Sequence, residues 1–297
     1  MIVCGTDFSP VASAAANVAA HIAQRAGALL ELVNATGSPD EAASAAHAAT
    51  PPAPESRAGQ MAAEVSRLRA LGVTVEGTLD PALPDQAMAD RARRADTSLI
   101  VLGAVGLTLV ERVLLGSVAE RIAMASTKPV LVVRNDGPWS DWAKDARPLR
   151  VMVAFDVGAS AGEALSWVAW LRQWGELRLT VCWVVNPALE NQRFGATGEG
   201  AGIELLPKTR ESLWREFQLL VGTQGSLPST ELRLEPTLGR VDSALTQLAG
   251  SSDQDLLVVG SHQRRGFERL WQASVSRGVL RHAPMSVAVV PHRPKGE

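Results

Sequence analysis

Residues 96–133 read DTSLIVLGAVGLTLVERVLLGSVAERIAMASTKPVLVV, and residues 253–290 read DQDLLVVGSHQRRGFERLWQASVSRGVLRHAPMSVAVV. The two stretches align without a gap at an offset of 157: Asp96 meets Asp253, Gly103 meets Gly260, Ser117-Val118 meets Ser274-Val275, and Val133 meets Val290. The starts also correspond, Ile2-Val-Cys-Gly-Thr-Asp7 with Val151-Met-Val-Ala-Phe-Asp156, at an offset of 149. Self-similarity on this scale means one domain occurring twice, and 297 residues accommodate two domains of ordinary size. The first is placed at 1–134 and the second at 149–297. The join at 135–148, NDGPWSDWAKDARP, is polar and contains Pro and Gly, the composition of a linker.

Within the first copy, short apolar runs alternate with helical patterns. Strands are expected at Ile2–Gly5, Leu29–Val33, Val73–Gly77, Leu99–Leu102 and Val130–Val133, and helices at Val11–Ala26, Ser56–Leu71, Pro84–Ala95 and Ser117–Ala125. Strands that are apolar throughout and separated by helices imply a parallel sheet covered on both faces. Each copy therefore reads as a five-stranded, doubly wound α/β domain. With the order 3-2-1-4-5, connections leave strands 1 and 4 in opposite directions, and ligands bind in the crevice opened there.

Composition narrows the function. The 29 Lys and Arg against 31 Asp and Glu leave a net charge of −2, which offers no field for nucleic acid or an anionic membrane. The N-terminus has no basic, apolar leader and reads as no signal peptide. No stretch reaches 18 uninterrupted apolar residues, so no membrane span is expected. The two cysteines, Cys4 and Cys182, lie singly in apolar runs and fit a reducing, cytoplasmic setting rather than a disulfide or zinc site. The five histidines form no i,i+4 pair, so no metal site is expected. Tyr is absent and Trp occurs eight times, read as compositional drift and, for Trp167, Trp170 and Trp174, as helix packing.

Asp7 follows strand 1, and a glycine-rich turn, Gly103-Ala-Val-Gly106, follows strand 4. Nine residues later Gly116-Ser117 opens a helix. Glycines let a backbone approach an oxyanion and adopt positive φ, and the amides of Gly116, Ser117 and Val118 at a helix N-terminus suit a phosphate. Asp7 would accept hydrogen bonds from a sugar hydroxyl or a base N–H, with Val33 as an apolar edge for the base. Ser9 is an alternative to Asp7 as the cap of the first helix. Together these residues describe an adenine-nucleotide pocket.

At this point the chain resembles a tandem universal stress protein. That family's nucleotide motif, Gly-x2-Gly-x9-Gly-Ser/Thr, is matched by Gly103, Gly106, Gly116 and Ser117; Thr6-Asp7-Phe8-Ser9 resembles its strand-1 signature, and Lys128–Val133 its last strand. The resemblance implies an adenine nucleotide alpha hydrolase-like fold. It also implies an ATP site formed by Thr6, Asp7, Ser9, Val33, Gly103, Ala104, Gly106, Gly116, Ser117 and Val118, with Mg²⁺ accompanying the triphosphate. The family's paired last strands imply an internal pseudo-dimer through Val130–Val133 and Val287–Val290, with further homodimerisation and protein partners left open.

The second copy keeps Asp156, Val184, Gly260, Ser274 and Val275, a second, weaker nucleotide site by analogy. Gln263 replaces Gly106 and Ala273 replaces Gly116, each adding a Cβ in the phosphate path. Gly158-Ala-Ser-Ala-Gly162 has the form of a nucleophile elbow, but its counterpart in the first copy, Ser9–Ala14, lacks the motif, so it reads as a helix start. No Gly-x4-Gly-Lys-Ser/Thr sequence occurs. No general base or nucleophile stands beside the phosphate turn, so no catalytic residue is assigned and slow ATP hydrolysis is the furthest enzymatic reading. Backbone contacts discriminate phosphate number poorly, leaving ATP, ADP, AMP and a cyclic nucleotide open.

Overall fold

A computed structural model describes residues 1–37, 54–104, 115–157, 159–223, 230–261 and 269–292, with backbone only for 54–56, 159–160 and 269–274. The chain divides into two compact units, one of Met1–Pro148 with Trp174–Glu176, the other of Leu149–Gln173 with Leu177–Glu297.

In the first unit the elements run β1 (Ile2–Gly5), α1 (Pro10–Ala26), β2 (Leu30–Ala35), α2 (Pro54–Arg69), β3 (Val75–Asp80), α3 (Pro84–Arg93), β4 (Leu99–Gly103), α4 (Ser117–Ala125), β5 (Val130–Val133) and α5 (Gly137–Ala143). The strands pair in parallel in the order β3-β2-β1-β4-β5, the expected 3-2-1-4-5 winding. β1, β4 and β5 are buried nearly end to end, as strands covered on both faces must be. Helix α1 starts where Ser9 accepts from the Ala12 amide at 3.2 Å and Pro10 supplies a preset φ. It stops at Gly27, whose φ of 58° is the left-handed cap conformation. Its buried face is mostly alanine, which lets it lie close to the sheet.

In the second unit the order is β6 (Leu149–Phe155), α6 (Ala159–Arg172), β7 (Leu177–Val185), α7 (Pro187–Arg193), α8 (Pro207–Gly222), β8 (Thr230–Pro236), α9 (Val241–Ser251), β9 (Leu256–Ser261), α10 (Arg269–His282) and β10 (Ser286–Pro291). Its strands also pair in parallel, in the order β8-β7-β6-β9-β10. The formal elbow at Gly158–Gly162 leads into α6, its first glycine lying outside the described residues.

Two expectations need correction. β3 continues through Gly77 to Asp80 instead of ending there. Gly77 is no strand breaker: a Cβ on it would lie 2.6 Å from the Met61 sulfur, so the glycine admits α2 onto the sheet. The join also contains a helix, α5, whose Gly137-Pro138 is a helix start rather than a break. Trp139 and Trp142, set down to composition, are 0% and 1% exposed and meet edge to face at 6.0 Å. Arg25 at the end of α1 secures this helix. It donates to the carbonyls of Ala143 and Trp174, pairs with Asp145 at 2.5 Å and lies over the Trp142 ring.

Candidate functional site

The C-terminal ends of β1 and β4 flank a cavity of about 350 Å³, within the usual range for small-molecule pockets. Thr6, Asp7 and Ala12 line it from β1 and α1; Val33, Asn34 and Ala35 from β2; Pro84 and Met88 from α3; Leu102 and Gly103 from β4; and Gly116, Ser117, Val118, Ala119 and Ile122 from the start of α4. Seven residues picked from the sequence thus meet on one cavity: Thr6, Asp7, Val33, Gly103, Gly116, Ser117 and Val118. Ser9 and Ala104 stand behind the lining, and Gly106 lies outside the described residues.

A hydrogen-bonded turn presents Asp7. The Thr6 amide donates to the Val33 carbonyl at 2.8 Å, extending the β1–β2 pairing past the strand end. The Phe8 amide then donates to Thr6 Oγ1, and the Ser9 amide to Asp7 Oδ1, both at 3.0 Å. Phe8 between them has φ 62°, a left-handed conformation costing a non-glycine residue about 1–2 kcal/mol. These two turns hold it there. Ser9 caps α1, so its side chain is engaged by the fold rather than turned to the cavity.

On the opposite lip, Ala104 donates to Val133 and accepts from the Gly116 amide at 2.7 Å. This revises the phosphate cradle, because the Gly116 amide is already used. The amides of Ser117, Val118 and Ala119 are the ones without a helical acceptor at the start of α4, which has no side-chain cap. Neither Gly103 nor Gly116 has the anticipated positive φ: Gly116 is extended at φ −67°. At Gly103 a Cβ would lie 3.1 Å from the Val11 carbonyl oxygen, so close approach of α1 already requires glycine there.

The cavity floor is apolar: Met88, Leu102, Ala119 and Ile122 are buried. Beside it, Arg91 on α3 donates to Glu31 at 3.0 Å and Asp80 at 2.6 Å, tying α3 to β2 and β3. The hydrogen bonds from the Ala82 amide and Arg91 hold the Asp80 carboxyl below its ordinary range. Burial raises the Cys4 thiol far above its normal value and pushes Cys182 up to about 12, so neither is a nucleophile at neutral pH. No group of three or more metal-ligating side chains occurs among the described residues, and no helix among them is long and apolar enough to cross a membrane.

The second copy keeps two of these points and is built differently at others. Asp156 follows β6 as Asp7 follows β1, and Gly260 occupies the end of β9. The pairing register, however, sets Cys182 opposite Ala154 as it sets Val33 opposite Gly5. Val184 therefore lies two residues beyond the place of Val33. Helix α10 begins at Arg269, leaving Ser274 and Val275 in its second turn, where their amides are bonded one turn back. Ala273 in place of Gly116 favours this continuation. Ser276 donates to the Gly260 carbonyl at 2.8 Å, closing the gap between α10 and β9. Gln263 lies outside the described residues.

Asn34, Met88 and Ile122 are lining residues that sequence reading missed. The helical spacing of Met88 and Ile122 marks only a buried face, and a single asparagine at a strand end carries no motif.

The model of the universal stress protein family matches residues 1–134 and 149–291. A universal stress protein of Mycolicibacterium smegmatis is 28% identical over 229 residues, covering 74% of this chain and 69% of that protein. The crystal structure of a universal stress protein from Archaeoglobus fulgidus superposes with a TM-score of 0.66 at 18% identity, covering 98% of both chains. A functionally unknown protein of Pseudomonas aeruginosa gives 0.64 at 16% identity, covering 98% of this chain and 92% of that one. The two structures share the fold.

Proposed function

The chain belongs to the universal stress protein family, and on that premise we propose that it is a cytoplasmic, ATP-responsive regulatory factor holding one adenine nucleotide in its first copy. Asp7 accepts from the ribose or base, Val33 flanks the base, and the amides of Ser117 and Val118 receive the phosphates, with Gly103, Gly106 and Gly116 keeping the path clear. Mg²⁺ arrives with the triphosphate. Nucleotide occupancy then changes the conformation of the first copy or the proteins it engages, while the second copy serves as a structural half.

The observation that carries this reading is the convergence of an acid, an apolar strand end and an uncapped helix start on one cavity, from Asp7 at one end of the sequence span to Ser117 at the other. A helix N-terminus attracts anions through its unsatisfied amides and dipole. Asp7 on the other lip suits hydroxyl or amino donors. In the second copy the corresponding amides lie within a helix, which supports a stoichiometry of one.

The test is to purify the protein without added nucleotide, denature it, and identify the released small molecules by chromatography and mass spectrometry. The stripped protein is then titrated with ATP, ADP, AMP and cyclic AMP. ATP bound at one site supports the reading. Protein that neither carries nor binds any of the four is an interaction module with vestigial pockets.

A further inference from the structure

A second cavity, of about 180 Å³, lies in the second unit where β7 and β8 end. The first copy is an internal control for this corner. There the register sets Ala35 opposite Asp80, and two residues further on the Gly37 amide donates to the Ala82 carbonyl at 3.2 Å. A Cβ on Gly37 would lie 2.7 Å from the Pro81 carbonyl oxygen, so that corner is shut. In the second copy Val185 stands opposite Pro236, and the same count reaches Pro187 and Leu238. Pro187 has no amide to donate. It starts α7 instead, and both residues line the cavity that stays open.

The walls are held in place. Asn191 of α7, itself buried, commits its side chain to the segment before α8: Nδ2 donates to the Ala201 and Glu204 carbonyls at 2.7 Å each, and Oδ1 accepts from the Leu206 amide at 3.2 Å. On the β8 side the Thr237 amide donates to the Val185 carbonyl at 2.8 Å, and its hydroxyl accepts from the Gly239 amide at 3.1 Å. Ile203 and Leu238 line the cavity yet remain 65% and 59% exposed. Glu204 and Arg210 line it too, both exposed, and neither side chain has an ion pair or hydrogen bond among the described residues, with the other or with a neighbour. Other charges of this unit are matched, Arg193 with Glu190 and Glu216, Arg233 with Glu235, and Arg240 with Asp242.

We propose that this cavity binds a free α-amino acid with an aliphatic side chain, Arg210 taking its carboxylate, Glu204 its ammonium, and Ile203 and Leu238 its side chain. A guanidinium offers a fork of donors that matches a carboxylate, and a carboxylate only accepts, as an ammonium requires. A ligand with a single charge would leave one of the two lining charges unanswered. Covering the exposed Ile203 and Leu238 with an aliphatic group adds the hydrophobic gain. Size agrees: the cavity is about half the volume of the first one and falls below the range for drug-sized ligands, which suits an amino acid rather than a nucleotide. The site stands on its own geometry and does not depend on the nucleotide reading.

The experiment is titration of the stripped, full-length protein with L-leucine, followed by ligand-detected NMR. Three partial ligands run beside it: 3-methylbutylamine, which lacks the carboxylate, 4-methylpentanoate, which lacks the ammonium, and glycine, which lacks the side chain. Leucine should saturate with a dissociation constant of about 1 mM or below, and each partial ligand should bind about tenfold more weakly or worse. Arg210→Gln should weaken leucine about tenfold and leave 3-methylbutylamine within about threefold of its wild-type value, and Glu204→Gln should weaken leucine equally while sparing 4-methylpentanoate. Leucine that fails to bind at about 10 mM overturns the proposal without recourse to any variant. Glycine bound as tightly as leucine overturns it as well, and so does leucine held equally by wild type and both variants. Displacement of leucine by ATP would place it in the first cavity and also refute the site.

Discussion

Replacing Gly116 by valine should separate phosphate binding from folding. Gly116 holds φ −67° and ψ 137°, extended backbone open to any residue and favourable to a β-branched one. Valine also keeps the amide that donates to Ala104. The cost to the fold is therefore that of a poorer helix cap, about 0.5–1 kcal/mol, or a fall in Tm of at most about 4 °C for a unit of this size. The cost to the ligand is larger. Three added carbons beside the Ser117 and Val118 amides deny a phosphate two charge-assisted hydrogen bonds, each worth about 1.5–3 kcal/mol. ATP affinity should fall by about 100-fold or more. Adenosine, with no phosphate to lose, should bind both proteins within about threefold. Isothermal titration of stripped protein with each ligand, alongside thermal melts, measures both effects. ATP affinity within about threefold of wild type, in a variant that melts normally, would refute the phosphate assignment.

Arg91→Met leaves the buried Glu31 carboxylate with two longer contacts, 3.2 Å each, from Arg94 and from the Thr78 hydroxyl, and should cost about 3 kcal/mol in urea unfolding; a loss below about 1 kcal/mol contradicts the part given to that cluster. In Gly278→Ala the new Cβ would overlap the Asp242 carboxylate, which Arg240 holds through both oxygens. Unfolding free energy should drop by about 1–3 kcal/mol while ATP affinity stays at the wild-type value, and a parallel loss of binding would tie the second copy to the site. Burial, then Lys144, lowers the His21 pKa from its usual value. The unfolded chain therefore takes up the proton first as pH falls through about 6.5, and stability declines with it. His21→Gln should flatten the stability profile between about pH 7 and pH 5.5, and an unchanged slope would mean that another group carries the loss.

The architecture was legible because strands covered on both faces leave an unbroken apolar run, and because the chain states its domain twice. Boundaries failed where one residue type serves two purposes. Gly77 resembles a break yet makes room for Met61, and Gly137-Pro138 resembles a linker yet starts a helix that buries two tryptophans. The shift from Val184 to Cys182 arose because only the pairing register, absent from sequence, fixes which residue of β7 stands opposite β6. At the candidate site, residue types were readable but their tasks were not. Gly103 meets Val11, the Gly116 amide meets Ala104, and Ser9 caps α1, each a contact made by distant or folded-back backbone. Asn34 shows itself as a lining residue only once the fold closes the cavity around it.

The central claim is one adenine nucleotide per chain, held by the first copy. Native mass spectrometry of stripped protein at saturating ATP tests it most directly, run on wild type and on Gly116→Val. The account predicts a single added nucleotide mass per chain in wild type and none in the variant. Two added masses in wild type, or one that survives in the variant, would contradict it.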